Sequence, residues 1–290
     1  MFRLALFFGL SFFLLSSHYV SAACSLGDEI IQKRTPDSGP SDAISGVAIL
    51  VHGLNQNPEM MNFLRDILLE RNYITLRLSL QGHFEQSADE EMSEIKDRCW
   101  DDQLKYVLSR SDQLLKKYEL NQRIFLGFSL GGALGVRHLA LNPKVFDKMF
   151  LFAPALEFRP TSYLVTLLDF LDENITIPTI TDPSERAAKG SSLKAYRELF
   201  RVQSELQDGL KIGYINIPTI VFVHEKDELI SPEGIQNFIN RNQLENWELQ
   251  IIQSSKSFGL RRYYHQISVP DHINYSVWQE QIGLLLNEKL

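Results

Sequence analysis

The chain has 290 residues, 44% of them hydrophobic, with 16 glycines and 11 prolines. That is an ordinary globular composition, long enough for one large α/β core plus an insertion. A formal net charge of −7, with no basic cluster beyond Arg261 and Arg262, argues against a general nucleic-acid partner.

At the N-terminus, Arg3 supplies one positive charge, Leu4–Leu15 forms an apolar run, and Ser21, Ala22 and Ala23 end it with small residues. This is the layout of a secretory signal peptide over residues 1–23, too short for a membrane span. The expectation is an exported chain, periplasmic or secreted, with no transmembrane span once the leader is removed. Only two cysteines exist. Cys24 follows the small residues and is either a lipid-anchored first residue or the partner of Cys99 in a disulfide, which an oxidising compartment permits. Asn174 and Asn274 head glycosylation sequons, which matter only in a eukaryotic host.

Residues 24–42 are polar and read as a linker. Gly46–Val51 is a continuous apolar run, the mark of a strand buried on both faces. A helical pattern follows over Pro58–Glu70, then a second strand over Tyr73–Leu80 and a polar, helical stretch over Ser87–Tyr118. The adjacent carboxylates Asp101 and Asp102 read as charges in the first turn of a helix, since neighbours on a helix point apart. Arg123–Leu126 reads as a short buried strand and Ala133–Leu141 as a helix. Between them lies Gly127-Phe128-Ser129-Leu130-Gly131, so strand becomes helix within about four residues with Ser129 at the apex. Further strands are expected at Lys148–Phe152, Pro218–Val223 and Trp247–Ile252, and a last helix at Tyr275–Asn287.

Strands alternating with helices predict an α/β fold, a doubly wound, mostly parallel sheet. Its core is expected over residues 43–155 and 213–290. Residues 156–212 lack a convincing strand but show helical spacing at Tyr163–Leu171 and Leu193–Leu206. They read as a helical cap inserted over the carboxyl edge of the sheet. The apolar stripe of Tyr163, Leu164, Leu167, Leu168 and Leu171, beside Phe170, either lines an acyl pocket or packs the cap onto the core.

The glycine-flanked serine between strand and helix resembles the nucleophile elbow of the α/β-hydrolase superfamily. Other pieces fall in that family's order. His52 and Gly53 follow the first buried strand, as an oxyanion loop does. Asp227 follows the strand ending at Val223, with Glu225 and Glu228 close enough to leave the register open. His265, or alternatively His272, follows the last strand. The resemblance implies Ser129 as nucleophile, Asp227 as acid and His265 as base, with Leu54 N–H and Leu130 N–H as oxyanion donors and His52 supporting its loop. Gly82 and His83 resemble a turn found in monoacylglycerol-lipase-like and lysophospholipase-like members, with His83 as a loop residue. The implied activity is cleavage of small-molecule or lipid carboxylic esters, without organic or metal cofactor. Two other readings stand beside it: a non-catalytic binding protein on the same fold, or the same three residues in a peptidase, thioesterase or acyltransferase. No Cys/His spacing suggests a metal site.

Overall fold

The computed structural model describes residues 24, 29–32, 44–84, 88–163, 172–179, 181–207, 212–254 and 264–290. Strands β1 (Glu29–Gln32), β2 (Gly46–Val51), β3 (Tyr73–Leu78), β4 (Arg123–Phe128) and β5 (Lys148–Phe152) come first. The short strands β6 (Thr176–Pro178) and β7 (Gly190–Ser192) form a separate antiparallel ribbon, and β8 (Thr219–His224) and β9 (Trp247–Ile252) complete the main sheet. The order is β1-β3-β2-β4-β5-β8-β9, parallel throughout except for β1, which runs antiparallel to β3.

Strands β2, β3, β4 and β8 are buried at every residue. That burial on both faces is why they read as continuous rather than alternating apolar runs. The helices supply the cover: α1 (Asn62–Glu70), α2 (Ala88–Glu91), α3 (Cys99–Lys117), α4 (Leu130–Leu141), α5 (Leu193–Gln207), α6 (Pro232–Arg241), α7 (Pro270–Ile273), α8 (Tyr275–Trp278) and α9 (Leu284–Lys289). A π-turn at Gln279–Gly283 joins the last two. Helix α6 starts where its sequence says it should. Ser231 caps it by accepting from Gly234 N–H, and Pro232 occupies the first turn. Helix α4 is buried at all but its final residue, as an apolar helix central to the fold must be.

Residues read as linker differ from that expectation. Glu29–Gln32 adds an edge strand to β3. Four residues at a sheet edge need no apolar period, so composition alone does not reveal them. The interval 156–212 likewise carries the β6–β7 ribbon as well as α5. Three-residue strands with Gly190 and Pro178 leave no strand signal. The leader and residues 164–171 of the expected cap helix lie outside the described residues. Cys24 is bonded to Cys99. No helix among the described residues is long and apolar enough to cross a membrane.

Asp101 also departs from the sequence reading. Only Asp102 is a solvated first-turn charge, paired with Lys105. Asp101 is buried and accepts from Arg137 of α4 at 2.5 Å and Arg201 of α5 at 2.6 Å. Burial alone would raise its pKa, but the contact with His138 and the two guanidinium charges hold it down at about 2. Glu198 and Glu205 complete the cluster by binding Arg201, and Glu205 binds Arg137 as well. The cluster ties α5 to α3 and α4.

Close approach of α4 to the sheet is the tightest demand of the fold. A Cβ on Gly131 would sit 2.2 Å from Val51 O, a backbone atom of β2 that cannot move alone. On Gly283 it would meet only the amide end of Gln279, at 2.7 Å. Gly131→Ala is therefore expected to lower unfolding free energy by about 3 kcal/mol, and Gly283→Ala to change it by less than about 1 kcal/mol. Urea unfolding of the two variants checks this; equal effects would contradict it.

Candidate active site

Ser129 occupies the turn between β4 and α4 with φ 48° and ψ −114°. This is a conformation that costs a non-glycine residue on the order of 1–3 kcal/mol. Its backbone is held on both sides. Ser129 N–H donates to Phe152 O at 2.9 Å, and Ser129 O accepts from Ala133 and Ala155 N–H. Gly53 passes so near that a Cβ there would meet the Phe128 ring at 2.7 Å and Ser129 Cβ at 3.1 Å.

His265 reaches the serine from the loop after β9. Its Nε2 lies 3.0 Å from Ser129 Oγ and its Nδ1 2.9 Å from Asp227 Oδ2. A carboxylate there only accepts, so Nδ1 carries the proton and Nε2 is left to accept from the serine hydroxyl. Asp227 is fully engaged: Oδ1 accepts from Leu229 and Ile230 N–H, both at 2.8 Å. Of the three carboxylates near the end of β8, Asp227 is thus the one that meets the imidazole. His272 lies elsewhere, with Nε2 2.9 Å from Glu185 Oε1, so the structure brings His265 and not His272 to Ser129.

The loop after β2 is set by two histidines. His52 Nε2 accepts from Leu80 N–H at 3.0 Å, and its Nδ1–H donates to Gly53 O at 2.8 Å. Gly53 O also accepts from Gln56 N–H. In a trans peptide the carbonyl and the next N–H point opposite ways. Anchoring Gly53 O therefore turns Leu54 N–H away from His52, and Leu54 lines the cavity beside Ser129. Leu130 N–H belongs to the first turn of α4, where helical N–H groups have no partner within the helix and attract negative charge. His83 holds the next residue: its Nε2 accepts from Asn55 N–H at 2.7 Å. Asn55 adopts the left-handed conformation at φ 54°, which asparagine tolerates better than most residues. Sequence reasoning missed Asn55 and Gln56. The signal available was an asparagine two residues beyond the His-Gly pair.

A cavity of about 590 Å³ opens over Ser129 and His265. Phe158, Ile177, Tyr196, Leu199, Phe200 and Leu229 give it a mainly apolar wall. Four of these come from the β6–β7 ribbon and α5. Of the expected stripe, only Tyr163 is described. It stacks on Phe200 and meets Phe158 edge-on behind the wall. No group of three or more metal-ligating side chains exists among the described residues.

Residues 42–183 match the family Serine aminopeptidase, S33. No curated protein matches by sequence. Among solved structures, a soluble variant of monoglyceride lipase from Saccharomyces cerevisiae, in complex with a substrate analogue, superposes with a TM-score of 0.68. It is 15% identical and covers 90% of this chain and 95% of that one. A structure from LipS and LipT, two metagenome-derived lipolytic enzymes, gives 0.65 at 15% identity, covering 91% and 99%. Est1E from Butyrivibrio proteoclasticus with bound ferulic acid gives 0.59 at 16%, covering 91% and 96%. At such identities the likeness establishes the fold, which is that of the α/β-hydrolases.

His52 and His83 are both neutral in the fold. Burial pulls both below the ordinary imidazole value, His83 to about 4. Between pH 4 and 6.5 the unfolded chain then binds more protons than the folded one, so stability falls as pH drops through 6.5 and is complete above it. The His83 contribution amounts to about 2 kcal/mol by pH 5. Urea midpoints at pH 7.5 and 5 should fall more for the wild type than for His83→Gln, which keeps an acceptor for Asn55 N–H without a proton to gain. Parallel slopes would contradict the neutral-histidine assignment.

Proposed function

We propose that this α/β-hydrolase cleaves carboxylic esters through an acyl-enzyme on Ser129. The observation that carries the reading is the chain of contacts from Ser129 Oγ to His265 Nε2 and from His265 Nδ1 to Asp227, beneath an apolar cavity. His265 takes the hydroxyl proton as Ser129 Oγ attacks the ester carbonyl, and Asp227 holds the resulting imidazolium. Leu54 and Leu130 N–H donate to the oxyanion, each contributing about 3 kcal/mol to its stabilisation. Collapse of the tetrahedral intermediate expels the alcohol, which leaves with the proton from His265. Water, deprotonated by the same histidine, then attacks the acyl-enzyme and frees the acid and the serine.

The apolar wall from the cap supports an acyl group as the part bound in the cavity. Export is part of the proposal. It rests on the leader-like N-terminus and suits the Cys24–Cys99 bond.

The assignment of the base separates two variants. With p-nitrophenyl esters, His265→Ala should lose about 10⁴-fold in kcat, while His272→Ala stays within about threefold of wild type. Along a series of acyl lengths, kcat/KM should rise by up to about fourfold per methylene while the chain remains in the cavity. A folded wild-type protein that turns over none of the series defeats the proposal, and the reverse order of the two histidines defeats the assignment of the base.

A further inference from the structure

His265 stands on a stretch with little regular support. Strand β9 ends at Ile252 and α7 begins at Pro270, and no helix or strand among the described residues lies between them. Residues 255–263, just before Tyr264, lie outside the described residues. A base on such a loop keeps its position only if its backbone is held, because the bond to Asp227 fixes the imidazole and not the peptide that carries it.

Glu228 holds the N–H side of this segment, while the His265 and Ile267 carbonyls accept from Ile267 N–H and Trp278 Nε1–H. Glu228 Oε1 accepts from Tyr264 N–H at 3.0 Å and its Oε2 from His265 N–H at 3.1 Å. One carboxylate thus grips two successive peptide N–H groups, a charge-assisted and bidentate arrangement. No lysine or arginine pairs with it among the described residues, and it also lines the cavity beside His265. Glu228 also follows Asp227 directly in the chain. One residue grips the imidazole of His265 and the next grips its main chain, and the two share a short turn fixed by Leu229 and Ile230 N–H on Asp227.

We propose that Glu228 is a positioning residue for the base: it fixes the main chain at Tyr264 and His265 so that Nε2 stays within reach of Ser129 Oγ. The inference rests on the ester-hydrolase reading for its kinetic consequence, but the clamp itself is a property of the fold. Glu228→Ala removes both acceptors. Glu228→Gln keeps one oxygen and turns an amide N–H toward a peptide N–H, so it loses about half of the clamp. A displaced base costs rate rather than binding. Glu228→Ala should lower kcat by about 10- to 100-fold and Glu228→Gln by less, with KM within about twofold of wild type and the thermal midpoint lowered by no more than about 5 °C. Because Glu228 acts through His265, adding Glu228→Ala to His265→Ala should cost nothing further.

Amide hydrogen exchange reads the clamp without reference to catalysis. In Glu228→Ala, exchange at Tyr264 and His265 should quicken at least tenfold while β4 and β8 keep their protection. Wild-type kcat together with unchanged exchange in Glu228→Ala overturns the proposal. So does a further loss in the His265→Ala background, which would give Glu228 a role of its own. A fall in kcat accompanied by general loss of protection and a thermal midpoint lowered by more than about 5 °C overturns it too. An inactive wild type would defeat the ester-hydrolase reading, while the exchange result still decides the clamp.

Discussion

The sharp turn at Ser129 is the constraint around which the other parts of the molecule are arranged. A residue at φ 48° and ψ −114° is held there only if its surroundings over-determine it. The surroundings do so with backbone. β5 supplies Phe152 O, and the segment after it supplies Ala155 N–H. β2 closes against Gly131 so tightly that no side chain fits. The parallel sheet brings these strands side by side, and the absence of Cβ atoms at Gly53 and Gly131 lets them touch. The strain leaves the hydroxyl where a histidine from the far edge of the sheet reaches it.

Polar groups around this point are buried in two different ways. In the loop after β2, neutral histidines and amides do the holding. His52 and His83 accept backbone N–H groups, and Gln56 accepts from Gly53 N–H while donating to Gln266, next to His265. Neutral groups avoid the large cost of desolvating charge. Around α5, the holding is ionic. Asp101, Glu198 and Glu205 are balanced within one cluster by Arg137, Arg201 and Arg98. Buried pairs of this kind add little net stability compared with apolar packing, yet removing one partner leaves an uncompensated charge. Their effect is to fix where α5 lies. Tyr196, Leu199 and Phe200 of α5 face the cavity, so the same helix is placed by its charged side and shapes the site with its apolar one.

Legibility in the sequence followed burial. The strands at Gly46–Val51 and Lys148–Phe152 could be read to the residue because an apolar run between turns has few other meanings, and edge strand Trp247–Ile252, half exposed, could be read from its partly alternating pattern. Ser129, Asp227 and His265 each follow a strand, which made them candidates, and they lie within hydrogen-bond reach of one another. What escaped was set by tertiary contact. Edge strand β1 and the β6–β7 ribbon are too short to show a period. Asp101 looked like any first-turn carboxylate, since its partners Arg137 and Arg201 lie 36 and 100 residues away along the chain. Glu228 looked like a rival to Asp227, and only the path of the chain at Tyr264 and His265 shows what its oxygens meet. The cavity wall was sought on residues 163–171, but the described wall comes from α5, the ribbon, Phe158 and Leu229.

Ser129 is proposed to be a nucleophile made reactive by its position. Treating the folded protein with a fluorophosphonate and locating the adduct by peptide mass spectrometry tests it most directly. The account predicts a single stoichiometric adduct on Ser129, absent when Ser129→Ala is treated in the same way. A folded protein that takes no label, or one labelled as readily at another residue after Ser129→Ala, would contradict it.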